Sequence, residues 1–259
     1  MGKSNRKALL KKTSESFGFE WEKFPDIYES YEQNFLSYID VDKEFFKGKS
    51  VLDAGCGAGR HCYYAAKYGA RVTGFDISPK VVAIAEKNLG KSVRIMEHDI
   101  YKPLLTGVYD YILFIGVAHH LPDPEEGFRR LVKLLKTNGT ISIWVYSKKD
   151  NLMARYLYEP LRKITTRIPH RILYYLCYLP AWLVEGCNRL NLPLFKYYGV
   201  FPFRTKLNDA FDVFSAPSAK YYDLETIQRW FETAGLRNIK VSYRMLNGKA
   251  KGIKGMGSL

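Results

Sequence analysis

The residues best suited to chemistry in this sequence are a glycine loop and three carboxylates. Val51-Leu52-Asp53-Ala54-Gly55-Cys56-Gly57-Ala58-Gly59-Arg60 reads as an apolar strand that ends in glycines and opens a helix. Without Cβ atoms at 55, 57 and 59 the backbone can turn sharply and a ligand can approach it closely. Arg60 stands where a GxGxxG nicotinamide fingerprint needs its third glycine, and no Gly-Lys-Ser/Thr of a Walker loop follows. Asp53, two residues ahead of the loop, sets an anion beside the pocket, which disfavours phosphate and suits an ammonium or sulfonium. Asp76 ends the next strand, 21 residues after Gly55. A carboxylate there can accept two hydrogen bonds from a ribose diol. Asp99-Ile100 follows the third strand, where the acid can take an exocyclic amine while the aliphatic side chain packs on an adenine ring. Each acid alone is an ordinary loop residue; three at successive strand ends form a constellation.

Gly116-Val117-Ala118-His119-His120-Leu121-Pro122 follows the fourth strand. His119 or His120 can serve there as a general base, because histidine titrates near neutral pH. The competing reading is that the pair anchors the loop. His61 and Cys62 read as packing, Cys56 as a small loop residue without a nucleophilic role, and His98 as a strand-end residue. His170, after Pro169, is expected to be solvated. Amino-methylating nucleobase enzymes carry an Asp/Asn-Pro-Pro-aromatic motif after strand four, and cytosine enzymes carry a Pro-Cys nucleophile; neither occurs. The four cysteines form no CxxC pair, and nothing requires a metal.

Strands alternating with helices must position these groups. SVLDAG, RVTGFD, SVRIMEHD, YDYILFIG and TISIWVYS read as strands; AGRHCYYAAKYG, SPKVVAIAEKNLG and PDPEEGFRRLVKLLKTNG read as the helices between them. The last of these helices is expected to end at Asn138-Gly139. This rhythm predicts a parallel sheet with helices on both faces. Tyr28, Tyr31, Phe35 and Tyr38 fall at helical spacing ahead of it. Residues 1–12 carry five bases and no acid, and read as a frayed tail.

From 151 to 210 the rhythm breaks. Eleven aromatics, nine Lys and Arg, and five prolines point to a helical insertion or lid. DLETIQRWFETAG then returns to helix and NIKVSYRML to strand, with a hairpin expected at Asn247-Gly248 and a short final strand.

The 259 residues carry 40 Lys and Arg against 26 Asp and Glu, a formal charge of +14, with a pI near 9.5. That balance favours anionic partners. The N-terminus has no apolar signal core, and Arg6 stands where myristoylation after Gly2 needs Ser or Thr. The longest apolar run, Ile172–Val184, is too short to span a bilayer and contains Pro180. A reducing, cytoplasmic setting is the simplest expectation.

With these residues in view, the sequence resembles the class I S-adenosylmethionine-dependent methyltransferases, and most closely their ubiquinone/menaquinone-type small-molecule branch. VLDAGCGAG resembles their first motif, GFDIS the second, HDI the third, and the stretch from YDYILFIG to TISIWVY the fourth and fifth. The resemblance implies a Rossmann-like seven-stranded sheet ordered 3-2-1-4-5-7-6, with the insertion after strand 5. It further implies a core at 47–150, an N-terminal helical cap at 1–46, the lid at 151–210 and completion of the core at 211–259.

S-adenosylmethionine is the implied cofactor and S-adenosylhomocysteine its product. Gly55, Cys56, Gly57 and Gly59 would cradle the donor, and Asp53 would support its ammonium. Asp76 and Ile77 would hold the ribose, Asp99 and Ile100 the adenine, and Ile115 and Gly116 the methionine end. Trp21, in the FGFEW segment, is expected to fold over the donor. Methyl transfer to a small or lipophilic acceptor is the reading that follows. An RNA or protein acceptor docked through the basic surface is the alternative, and a non-catalytic binding protein is the third. The interleaved bases and aromatics of the insertion also suit an anionic membrane surface.

Overall fold

The computed structural model describes residues 3–29, 31–102, 108–152, 154–192, 201–246 and 249–259. Its seven strands are β1 (Ser50–Ala54), β2 (Arg71–Asp76), β3 (Arg94–Glu97), β4 (Tyr109–Ile115), β5 (Leu135–Tyr146), β6 (Arg237–Leu246) and β7 (Lys249–Ser258). They form one sheet in the order β3-β2-β1-β4-β5-β7-β6. β1 to β5 are parallel, and β7 runs antiparallel to both its neighbours.

The period-two alternation of the strands divides the core in two. Leu52, Ala54, Ile112 and Phe114 face one side with Phe128, Leu131, Trp230 and Phe231. Those partners come from α5 (Pro124–Val132) and α10 (Leu224–Thr233). Val51, Tyr111, Leu113 and Ile115 face the other side with Phe35, Cys62, Tyr64 and Ala85. There the partners come from α2 (Tyr31–Tyr38), α3 (Arg60–Lys67) and α4 (Pro79–Leu89). Central strands buried on both faces therefore read as continuous apolar runs.

A third cluster lies over the carboxyl ends of the strands. Phe24 meets Leu173, Cys177, Ala181, Leu207 and Phe211 there. Phe24's partners come from α7 (His170–Leu176), the Cys177 junction, α8 (Tyr178–Arg189) and α9 (Phe203–Ser215), which with α6 (Glu159–Thr165) make up the insertion.

Several local expectations give way to tertiary contacts. Residues 3–23 form a helix, α1, which takes in most of the 1–12 stretch expected as a frayed tail. Arg6 pairs with Glu126 at 2.9 Å and lies over the Tyr101 ring, and Ser16 donates to the Ser215 carbonyl at 3.0 Å. α5 stops at Val132, and β5 begins at Leu135 rather than after Gly139. Leu134 and Leu135 are buried, and Asn138 takes a left-handed turn that a helix cannot hold. α9 runs through the expected boundary at 210 to Ser215. His170 is half-buried against Phe19 and Phe211 rather than solvated.

The final strand has ten residues and sits inside the sheet. Its glycines are there for room, since a Cβ at Gly255 would stand 2.9 Å from the Phe231 ring. The aromatics Phe195, Tyr197 and Tyr198 and the turn at Asn247-Gly248 lie outside the described residues.

Candidate cofactor and acceptor site

A single cavity of about 800 Å³ opens at the carboxyl ends of β1, β2, β3, β4 and β5 and is roofed by α1 and the insertion. Its floor is the glycine loop. Gly55, Gly57 and Gly59 all have positive φ, and the amides of Gly55 and Cys56 both donate to the Phe75 carbonyl at 2.9 Å. That pins the loop to the end of β2. A Cβ at Gly57 would stand 2.9 Å from the Trp21 ring, so α1 closes directly on bare backbone. Arg60 is fixed beneath, between the rings of Trp21 and Tyr31. It also donates to the Phe24 and Asp26 carbonyls.

Asp76 accepts from the Gly57 amide at 3.2 Å and from the Ser78 amide at 3.0 Å. Burial nevertheless pushes its carboxyl up to about 6. Asp99 accepts from the Tyr101 amide at 3.0 Å, with Ile100 beside it on the cavity wall. Trp21, Gly55, Cys56, Gly57, Asp76, Ile77, Asp99, Ile100, Ile115 and Gly116 all line the cavity.

Asp53 and Gly59 do not line it, contrary to the expectation of direct contact. Gly59 turns the chain into α3 against Leu89. Asp53 is buried behind the loop, where it accepts from the Cys62 thiol at 3.3 Å; its other oxygen has no hydrogen-bond partner. His61 lies 3.9 Å from that oxygen. Burial raises Asp53 to about 7 and lowers His61 to about 4, so both are held near neutrality.

His119 and His120 are buried and line the acceptor half. Burial depresses both, and His119 falls well below the ordinary range. The His120 Nδ1 lies 2.6 Å from the Ser218 carbonyl. A carbonyl only accepts, so Nδ1 carries the proton and Nε2 keeps its lone pair. The His119 ring lies 4.0 Å from the Tyr146 ring, tilted 32° to it.

Sequence reasoning missed Glu20, Trp144, Tyr146, Asn208 and Asp212, which also line the cavity. Trp144 and Tyr146 end β5, where the alternation was legible but not what the strand end faces. Asn208 and Asp212 share a face of α9, and nothing in their spacing says that this polar face points inward. Among the described residues no group of three or more His, Cys, Asp or Glu is placed to hold a metal ion.

A glycine loop and acids at successive strand ends, opening into one cavity on a sheet of this order, are the arrangement of the class I S-adenosylmethionine-dependent methyltransferases, and the cofactor of that class is S-adenosylmethionine. A methyltransferase-domain family model matches residues 52–143. A protein from Synechococcus is 28% identical over 75% of this chain, and this chain spans 48% of its length. A ubiquinone biosynthesis O-methyltransferase from Pectobacterium atrosepticum is 27% identical over 69% of this chain and 78% of its own. A solved methyltransferase from Aquifex aeolicus shares the fold at 16% identity, with a TM-score of 0.53 over 93% of this chain and 97% of that one.

The residues present fit the cofactor. Asp76 and Asp99 stand beside aliphatic Ile77 and Ile100, the loop leaves backbone bare, and the volume lies in the upper part of the range for ligand pockets, about 300–1,000 Å³.

Proposed function

We propose that the protein transfers the methyl group of S-adenosylmethionine to a small, lipophilic acceptor held under the insertion. The observation that carries this reading is the continuity of the cavity. One space runs from the strand-end acids to walls built from Phe17, Trp144, Tyr146, Tyr158 and Tyr221. The similarity to ubiquinone biosynthesis O-methyltransferases supports an acceptor of that size and polarity.

Bound S-adenosylmethionine supplies an electrophilic methyl group. In this reading Asp76 accepts from the ribose hydroxyls, and Asp99 with Ile100 holds the adenine. Gly55, Gly57 and Gly116 let the backbone approach the methionine portion. Trp21 excludes water from above, and Asp53 packs behind the loop on the Cys62 thiol. Methyl transfer is an in-line displacement, so alignment of the acceptor is the main task of the walls. His120 Nε2 is the group best prepared to take a proton from it.

The same reading includes a membrane surface as the source of the acceptor. α7 and α8 bury Leu173, Cys177 and Ala181 on one side and expose Ile172, Tyr175, Leu179, Trp182 and Leu183 on the other. A helix apolar all round belongs in a core or against lipid. Arg155, Lys163, Arg167 and Arg171 are exposed on the same segment. Its acids Glu159 and Glu185 are already ion-paired. Bases interleaved with large apolar side chains favour an anionic lipid surface over nucleic acid. No described helix is long and apolar enough to cross a membrane.

The test is a screen of lipid-soluble phenols, amines and acids with labelled donor and anionic vesicles. Label should enter an organic-soluble product. Label that enters only RNA or protein, or no turnover with any acceptor, would overturn the reading.

A further inference from the structure

α1 and α9 meet along a polar seam inside the cavity. Glu20 is 2% exposed; its Oε1 accepts from Asn208 Nδ2 at 3.0 Å, and its Oε2 has no partner. Asn208 is 7% exposed, and its Oδ1 has no partner either. Asp212 accepts from the Tyr146 hydroxyl at 3.1 Å through Oδ2, while its Oδ1 is unmatched. All three side chains line the cavity. Asn208 and Asp212 lie four residues apart on α9 and so share a face.

Buried polar atoms in folded proteins are hydrogen-bonded. Three unmatched acceptors on side chains that line one cavity therefore mark the place of donors that a ligand brings. The cations nearby are engaged elsewhere. Arg60 holds the Phe24 and Asp26 carbonyls, and Arg162 is paired with Glu159 and the Val213 carbonyl. Burial, and then Asp212, push the Glu20 carboxyl well above its ordinary range, a condition that an arriving cation reverses.

We propose that the acceptor carries a primary ammonium group, which docks on Glu20, Asn208 and Asp212. An ammonium has three N–H donors and one positive charge, and the seam offers three acceptor atoms, two of them on carboxylates. A hydroxyl brings one donor and no charge, and a carboxylate meets repulsion. The proposal rests on the methyl-transfer reading for naming the ligand the acceptor; the docking site itself stands on the seam.

The experiment titrates phenethylamine, 2-phenylethanol and 3-phenylpropanoate into the full chain by calorimetry, with and without saturating S-adenosylhomocysteine. The amine should bind at least tenfold more tightly than the alcohol, and the acid should not bind measurably. Glu20→Gln and Asp212→Asn should each weaken the amine at least fivefold and leave the alcohol within twofold, with thermal melting confirming that the variants are folded. If either variant fails to fold, the comparison of the three probes on the parent protein still decides. No preference for the amine over the alcohol, or full amine affinity in both folded variants, overturns the proposal. Failure of S-adenosylhomocysteine to bind the parent overturns the methyl-transfer reading instead, and the amine preference measured without it still decides the docking site.

Discussion

Gly57 controls how closely anything can approach the floor of the site. Its φ is +54°, and an added Cβ would stand 2.9 Å from the Trp21 ring. Gly57→Ala should therefore cost about 1–3 kcal/mol of stability, from backbone strain and overpacking together. It should also weaken S-adenosylhomocysteine at least tenfold by displacing Trp21 and the loop; unchanged affinity in calorimetry would show that the loop is not the donor cradle. Asp76 carries a pH signature. It titrates at about 6, raised by burial, and only its ionised form can accept two hydrogen bonds from a diol. Donor affinity should fall as pH drops below about 6, and binding near that pH should release protons. Calorimetry at pH 6 in two buffers of different ionisation enthalpy reads the sign; proton uptake would contradict the ribose assignment. Asp76→Ala should cost about 1–3 kcal/mol of binding, the range for leaving polar partners unmatched.

Elements set what each residue faces. α1 is held at both ends, by Arg6 on Glu126 and by Ser16 on the Ser215 carbonyl, and Gly18 lets it lie close to Ser78. That fixes Glu20 and Trp21 over the loop. Tryptophan emission should change on donor binding in the parent protein, and the change should shrink in Trp21→Phe. Equal changes in both would make Trp21 a packing residue only. The outward face of α7 and α8 can be tested separately from the cavity. Trp182 is 54% exposed and Leu179 69%. Leu179→Glu with Trp182→Glu should leave thermal stability within about 0.5 kcal/mol, as for most surface changes. The double variant should lose co-sedimentation with phosphatidylglycerol vesicles at least tenfold. Retained sedimentation would remove this face from any role at a membrane.

At the scale of the whole molecule, burying acids behind and around the cavity makes stability depend on pH. Asp53 titrates at about 7 in the fold against an ordinary 3.8. The folded state thus binds more protons than the unfolded chain between those values, so this residue's contribution to stability falls as pH rises from about 4 to about 7. The upper limit is on the order of 4 kcal/mol, at about 1.4 kcal/mol per unit. The buried histidines run the other way: their lowered values subtract stability as pH falls below about 6.5. The difference between the parent and Asp53→Asn isolates the aspartate. Urea unfolding should show the variant gaining on the parent between pH 5 and pH 8; a constant difference would mean that Asp53 stays ionised in the fold.

The sheet was legible because its strands are apolar on both faces and its helices are spaced at ordinary intervals. Val51–Ala54, Arg71–Asp76 and Tyr109–Ile115 declare themselves by composition alone, and the glycine loop with Asp76 and Asp99 follows from their ends. The Gly-rich strand β7 was harder to see. Its side chains are missing because Phe231 and Trp144 occupy their places, and those neighbours arrive from distant positions in the chain. Asp53 illustrates the same limit. Its place before the loop is local, but the pleat turns it toward Cys62 and His61 rather than into the cavity. The inward turn of Glu20, Asn208 and Asp212 depends on α1 crossing α9, and helical spacing specifies a face without specifying what covers it. Local sequence therefore determined the strands, the loop and the strand-end acids. Tertiary packing alone decided which polar faces point inward, because that depends on contacts between segments far apart in the chain.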